Sequence, residues 1–117
     1  MGFGFWDFRA VADYQILYWD EVPYGVRAYE ADRRVSKQLP MKFQKVIGVL
    51  CMITGRNSQK DFQNGFVWGP RQSREGTAAE VAQQVYDELI SAYPPSRLVE
   101  IVREYKTSQP QNPNLEA

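Results

Sequence analysis

Residues 14–53, YQILYWDEVPYGVRAYEADRRVSKQLPMKFQKVIGVLCMI, decide the fold. Residues 14–19 are rich in β-formers, with Tyr14, Ile16 and Tyr18 on one face and Gln15, Leu17 and Trp19 on the other. Both faces are largely apolar, which is the pattern of a central strand or of one covered on each side. The segment Asp20-Glu21-Val22-Pro23 is expected to end or bend that strand, because Pro23 has no N–H for a ladder. Residues 24–29 alternate again, 31–34 read as a tight polar turn, and 34–39 form a third extended segment. Pro40 then stands where helices begin, its ring presetting φ and its missing N–H costing nothing at that position. Over residues 41–54, Phe43, Val46, Ile47, Leu50 and Thr54 share one helical face, with Ile53 at its edge and Cys51 at its margin. Gly55 suits the position after the last turn. The opposite side carries Val49 and Met52 beside Lys45 and Gly48, which is greasier than a solvated face should be.

Outward from this stretch the signals are shorter. Ser58 offers an N-cap with Asp61 three residues on, and Phe62 is expected to be the inward anchor of the short helix that follows. Phe66-Val67-Trp68, interrupted by Gly69-Pro70, reads as an edge strand or a strand-entering loop. Thr77-Ala78-Ala79-Glu80 is a capping box. The helix behind it presents Ala78, Val81, Val85, Leu89 and Ala92 to a core, with Ala82, Tyr86 and Tyr93 beside them. Pro94-Pro95 stops it, and Ser96 is expected to cap a last helix over 97–106 with Leu98, Val99, Ile101 and Val102 as its apolar contacts. The expected architecture is α+β: a small antiparallel sheet of two to four strands packed on three to four helices as a single pair of layers. Residues 1–13 read as an aromatic N-terminal arm, 14–106 as the domain, and 107–117 as a disordered tail too polar to repay the entropy of ordering.

Composition narrows the function classes. The chain has 117 residues, one domain's worth, and is long enough to bury a core without disulfide or metal. Fourteen basic residues balance 14 acidic ones, so the basic excess of a nucleic-acid binder is missing and none is expected as partner. There is no histidine, which removes the commonest general base and metal ligand. The lone cysteine, Cys51, suits a reducing cytoplasm. MGFGFWDF lacks the basic and cleavage regions of a secretory signal, and Trp6 stands where a myristoylation signal needs Ser or Thr. No membrane span is expected, since no apolar run approaches about 18 residues.

Candidate sites are few. Phe3, Phe5, Trp6 and Phe8 on the arm, with Val49 and Met52 on the first helix, form a candidate partner-binding surface. Arg33, Arg34, Lys37, Lys42 and Lys45 form a candidate anion patch, weighed against an ordinary solvated turn. Trp19, Arg27, Trp68 and Arg71 are candidate groove residues, weighed against burial of both tryptophans in the core. Asp20 and Glu21 are weak as a carboxylate pair, and Cys51 is weak as a nucleophile without an activating base. No catalytic constellation, cofactor site or metal site is read.

The segments YWDEVPYGVR, RRVSKQLPMKFQKVI, DFQNGFVWG and VYDELISAYP, taken in that order, resemble the bacterial "virulence factor" domain family. The matching positions are Tyr18, Trp19, Asp20, Val22 and Pro23, then Arg33, Arg34, Leu39, Pro40 and Phe43, then Trp68. The resemblance spans roughly residues 15–93. It departs at residues 49–53, greasier here than in the family helix, and at the aromatic arm. It implies a small domain of bacterial proteins that also closes the longer conserved virulence factor C, and it implies no reaction. The expectation is a non-enzymatic cytoplasmic interaction domain or accessory subunit with a protein partner or a homodimer. The alternative is a small-molecule or anion-binding accessory protein in one-carbon or metal-cluster metabolism, which a concave pocket containing Trp19, Arg27 and Trp68 would favour.

Overall fold

The computed structural model of the chain describes residues 10–56 and 58–109. Strand β1 (Val11–Trp19) starts three residues before the aromatic alternation. It pairs antiparallel with β2 (Val22–Glu30), which pairs antiparallel with β3 (Arg33–Gln38). Asp20 lies in the left-handed region (φ 54°) at the first hairpin, where a short polar residue is tolerated. Ala31 does the same (φ 52°) at the second, with less excuse. The polar turn is thus shorter than expected, and Arg33 and Arg34 belong to β3. Pro23 sits inside β2 and is buried, at a register shift that leaves Tyr24 bulged between Pro23 and Gly25. A bulge is one of the few places where a strand accepts proline.

The other side of β1 is covered in two pieces. Strand β4 (Phe66–Trp68) pairs with Leu17–Trp19, and β5 (Gln72–Glu75) pairs with Val11–Tyr14. The Gly69 amide donates to the Ile16 carbonyl at 2.8 Å, so the ladder nearly runs through the break. The sheet is therefore five-stranded, one strand more than expected, with order β3-β2-β1-β4 and β5 also on β1. QSRE holds no strong β-former; β1 recruits it, not its own propensity.

Helix α1 (Met41–Thr54) follows Pro40, and α2 (Gln59–Asn64) is capped by the Ser58 hydroxyl accepting from the Asp61 amide. Helix α3 (Ala78–Ala92) carries the full capping box between Thr77 and Glu80, and α4 (Pro95–Ser108) follows. Proline takes the first position of α4 with Pro94 before it, so Ser96 is inside the helix rather than its cap. The helix also includes Thr107 and Ser108, at the start of the expected tail; residues 110–117 lie outside the described residues.

Paired residues share a face of the sheet. Ala12, Tyr14, Val26 and Ala28 turn toward α3 and pack with Ala78, Val81, Ala82 and Val85. Phe43, Ile47, Leu50 and Cys51 of α1 with Leu98 and Ile101 of α4 complete the core. Ala92 of α3 and Val99 of α4, both expected in the core, are exposed, and Ala82 joins Ala78, Val81, Val85 and Leu89 on the buried face of α3. The register places Asp13, Gln15, Leu17, Arg27, Tyr29 and Trp68 together on the face turned away from α3.

Candidate functional site

At the α1 end of that face, the bulge and one glycine open a groove. Gly25 pairs with both Leu17 and Gln38, and a Cβ on it would stand 2.9 Å from the Lys37 carbonyl oxygen. Across from it, Gly48 on α1 has nothing within 4 Å of where its Cβ would be. Gly48 borders a cavity of about 530 Å³ lined also by Leu17, Tyr24, Gln44, Ile47, Phe62 and Phe66. A smaller cavity of about 180 Å³ shares Leu17 and Tyr24 and runs on to Arg27, Ser36, Gln38 and Trp68. The total is within the range that encloses small ligands, roughly 300–1,000 Å³.

Its wall is an aromatic chain. Tyr24 meets Phe66 edge-on at 5.1 Å, Phe66 meets Phe62 edge-on at 5.2 Å, and Phe62 stacks on Trp19 at 6.4 Å. Phe62 is 37% exposed, so it lines the groove instead of anchoring α2 in the core. Its expected inward role fails because Trp19 already fills the space beneath it. Trp19 is fully buried, and its Nε1 donates to the Phe62 carbonyl at 2.8 Å. Of the three residues that a pocket was expected to bring together, Arg27 and Trp68 line the groove and Trp19 stands behind its wall.

Two cations line the smaller cavity, Lys37 and Arg27, and Arg27 is the one on the outer face. Its guanidinium lies 4.5 Å over the Trp68 ring, its Nε is buried without a hydrogen-bond partner, and no carboxylate pairs with it among the described residues. The stack holds the side chain against the sheet. Arg71 is on the same side of the sheet but is committed elsewhere: it lies 4.2 Å over Tyr29 and pairs with Asp13 at 3.0 Å.

The basic patch does not assemble. Arg33 and Arg34 sit at the hairpin end of β3, and Lys42 and Lys45 sit on α1 beyond its other end. Lys37 pairs with Val26, so it falls on the opposite face from Arg34 and lies 5.6 Å over Tyr86 of α3. The expected clustering rested on closeness in sequence, which an extended strand pulls apart.

Asp20 is not half of a carboxylate pair. It forms a bidentate ion pair with Arg56 and accepts a hydrogen bond from the Tyr105 hydroxyl at 3.1 Å, while Arg56 lies 4.5 Å over Trp19. The Arg56 hydrogen bond holds the Asp20 carboxyl below its usual range, against the opposing effect of burial. Burial first, then the Asp20 charge, pushes the Tyr105 phenol up. The cluster ties the first hairpin to the end of α1 and to α4. Cys51 is buried, and burial pushes its thiol up against the lesser pull of Arg56, which lowers the thiolate fraction a nucleophile needs. Among the described residues no group of three or more His, Cys, Asp or Glu side chains is placed to hold a metal ion, and no helix is long and apolar enough to cross a membrane.

Val49 and Met52 are 40% and 73% exposed on α1. Phe3, Phe5, Trp6 and Phe8, the rest of that candidate surface, lie outside the described residues. The groove residues that the sequence reading missed are Leu17, Tyr24, Gln44, Ile47, Gly48, Phe62 and Phe66. Gly48 in mid-helix was the available signal, since glycine there costs about 1 kcal/mol against alanine without some other use.

The family model described as "Virulence factor" matches residues 17–102. The chain belongs to the virulence factor family. The matched segment contains the groove's lining residues together with Asp20 and Arg56, while Tyr105 lies three residues past its end, so the groove is a feature of this chain's virulence factor domain. No curated protein and no solved structure gives a significant match.

Proposed function

We propose that this virulence factor domain is a non-enzymatic binding module that holds a small, largely apolar ligand in the groove between the outer sheet face and α1. The observation that carries the reading is the 530 Å³ cavity walled by Tyr24, Ile47, Phe62 and Phe66 and left open by Gly48. An apolar concavity of this size with a few convergent polar groups is the default form of a ligand site. Catalysis is set aside because Asp20 is tied up by Arg56, Cys51 is buried and the chain has no histidine. The lone thiol fits a reducing compartment, and the reading places the protein in the cytoplasm.

The test uses the neutral dye N-phenylnaphthylamine, which fluoresces on entering apolar sites. The full chain is expected to bind it saturably, and Gly48→Phe, which projects a ring into the groove, is expected to abolish binding while keeping the helical signal. A folded wild-type chain that leaves the dye dark overturns the proposal. The second reading is a protein-interaction surface on α1, favoured by the exposure of Val49 and Met52. Light scattering that finds a dimer broken by Met52→Lys would support it, and a monomer at high concentration would count against a homodimer.

A further inference from the structure

The groove's charge inventory defines the ligand more narrowly, on the reading just proposed. Its lining holds two cations, Arg27 and Lys37, and no carboxylate. Lys37 is already placed over the Tyr86 ring. Arg27 has Trp68 against its flat face, a buried Nε with no partner and no counter-ion among the described residues. The enclosed Nε holds the side chain's stem in place, and a carboxylate that meets the two terminal nitrogens supplies the missing counter-charge with two parallel hydrogen bonds. Stacking on Trp68 fixes the plane of the fork before anything binds, so little ordering remains to oppose association. Ser36 stands opposite Arg27 in the ladder and lines the same cavity, so its hydroxyl is a second donor for an anion.

We infer that the ligand is a monoanion with an apolar body, an acyl or aromatic carboxylate, bound with its tail between Ile47, Phe62 and Phe66 and its charge against Arg27. The larger cavity takes the body and the smaller one takes the head, since Leu17 and Tyr24 belong to both. One uncommitted cation matches one negative charge. A nucleotide or other polyphosphate would bring several charges to a groove with one uncommitted cation, and among the described residues no glycine-rich loop lines it to add backbone donors.

The experiment compares two dyes of nearly the same shape, neutral N-phenylnaphthylamine and anionic anilinonaphthalene sulfonate, on the intact chain. The anionic dye is expected to bind at least about tenfold more tightly, the worth of one charge-assisted hydrogen bond. Arg27→Met is expected to collapse that ratio to near one, and Arg27→Lys to keep part of it. Dodecanoate is expected to displace the sulfonate dye, while dodecyltrimethylammonium is not. Gly48→Phe removes both dyes if they share the groove. Equal binding of the two dyes by wild type, or an unchanged ratio in Arg27→Met, overturns the anion assignment and leaves the groove reading standing. Failure of both dyes to bind, or retention of both by Gly48→Phe, overturns the groove reading and this inference with it.

Discussion

Gly65→Ala adds one methyl group and is expected to be among the most damaging small substitutions in the chain. Gly65 ends α2 with ordinary right-handed angles (φ −77°, ψ −16°), so its backbone does not require glycine. Its surroundings do: a Cβ there would lie 2.3 Å from Trp19 Nε1, 2.4 Å from Cε2 and 2.9 Å from Cδ1. Trp19 is fully buried, so its ring has no solvent to move into. Moving the indole away by an ångström or more breaks the Nε1 bond to the Phe62 carbonyl and displaces the Phe62 stack and the Arg56 guanidinium above it. Overpacking of this kind costs about 1–3 kcal/mol, and a stranded buried N–H about 1–3 kcal/mol more. The expected loss is about 2–5 kcal/mol, a large share of the roughly 5–15 kcal/mol that holds a domain together. Urea unfolding followed by far-UV circular dichroism measures it. Gly48→Ala is the matched control, expected to stabilise α1 by about 1 kcal/mol because its methyl meets open space. Because Gly65 and Trp19 touch, Trp19→Phe combined with Gly65→Ala should lose less than the sum of the two single changes. A loss below about 1 kcal/mol for Gly65→Ala would refute the packing argument.

Three further outcomes follow from the contacts. The Asp20 carboxyl is held below its ordinary value of 3.8, so the stability it contributes is present above that value and lost as pH falls through the lower folded value. Asp20→Asn should therefore cost about 1 kcal/mol near neutrality, and the gap from wild type should close below pH 3.8 in acid titrations of unfolding. Thr77→Ala removes one half of the α3 capping box and should cost about 1 kcal/mol by urea midpoint, with Thr77→Ser close to wild type. Ala31 carries a Cβ at φ 52°, so Ala31→Gly should be neutral or raise stability by up to about 1 kcal/mol, in contrast to the same change inside a helix.

Local chemistry was legible wherever a short segment decides its own conformation. Pro40 and Gly55 bracket α1, and Thr77 with Glu80 opens α3, at the bounds read from the sequence. The central place of β1 followed from its two apolar faces, and β1 has strands on both sides. Partner-dependent features were not legible. Strand β5 exists because Val11–Tyr14 offers a free ladder, and Gln72–Glu75 carries no sign of it. Phe62 looked like a core anchor and lines a groove, because its place depends on Trp19, 43 residues away in the chain. Gly65 ends α2, and the demand for glycine there comes from that same indole. The family resemblance held over residues 17–102, but the groove and the unpaired Arg27 within it emerge only when strands and helix are set side by side.

The interrupted edge around Gly69-Pro70 bears on whether identical chains can pair edge to edge. The chain has a formal net charge of zero, so like-charge repulsion between molecules gives little protection against clumping. A sheet with open rims invites strands of another molecule to add on. On one rim, the two-piece strand Phe66–Trp68 and Gln72–Glu75 presents no straight run longer than a few residues, and Pro70 between the pieces has no amide hydrogen to offer. On the other, β3 carries Arg33, Arg34 and Lys37, which would face the same charges on an identical strand paired against it. Removing the break and one of the rim cations together, with Pro70→Thr and Arg34→Val, would smooth both rims while moving the formal net charge only from zero to −1, and the solubility limit of that variant would report how much these edges prevent.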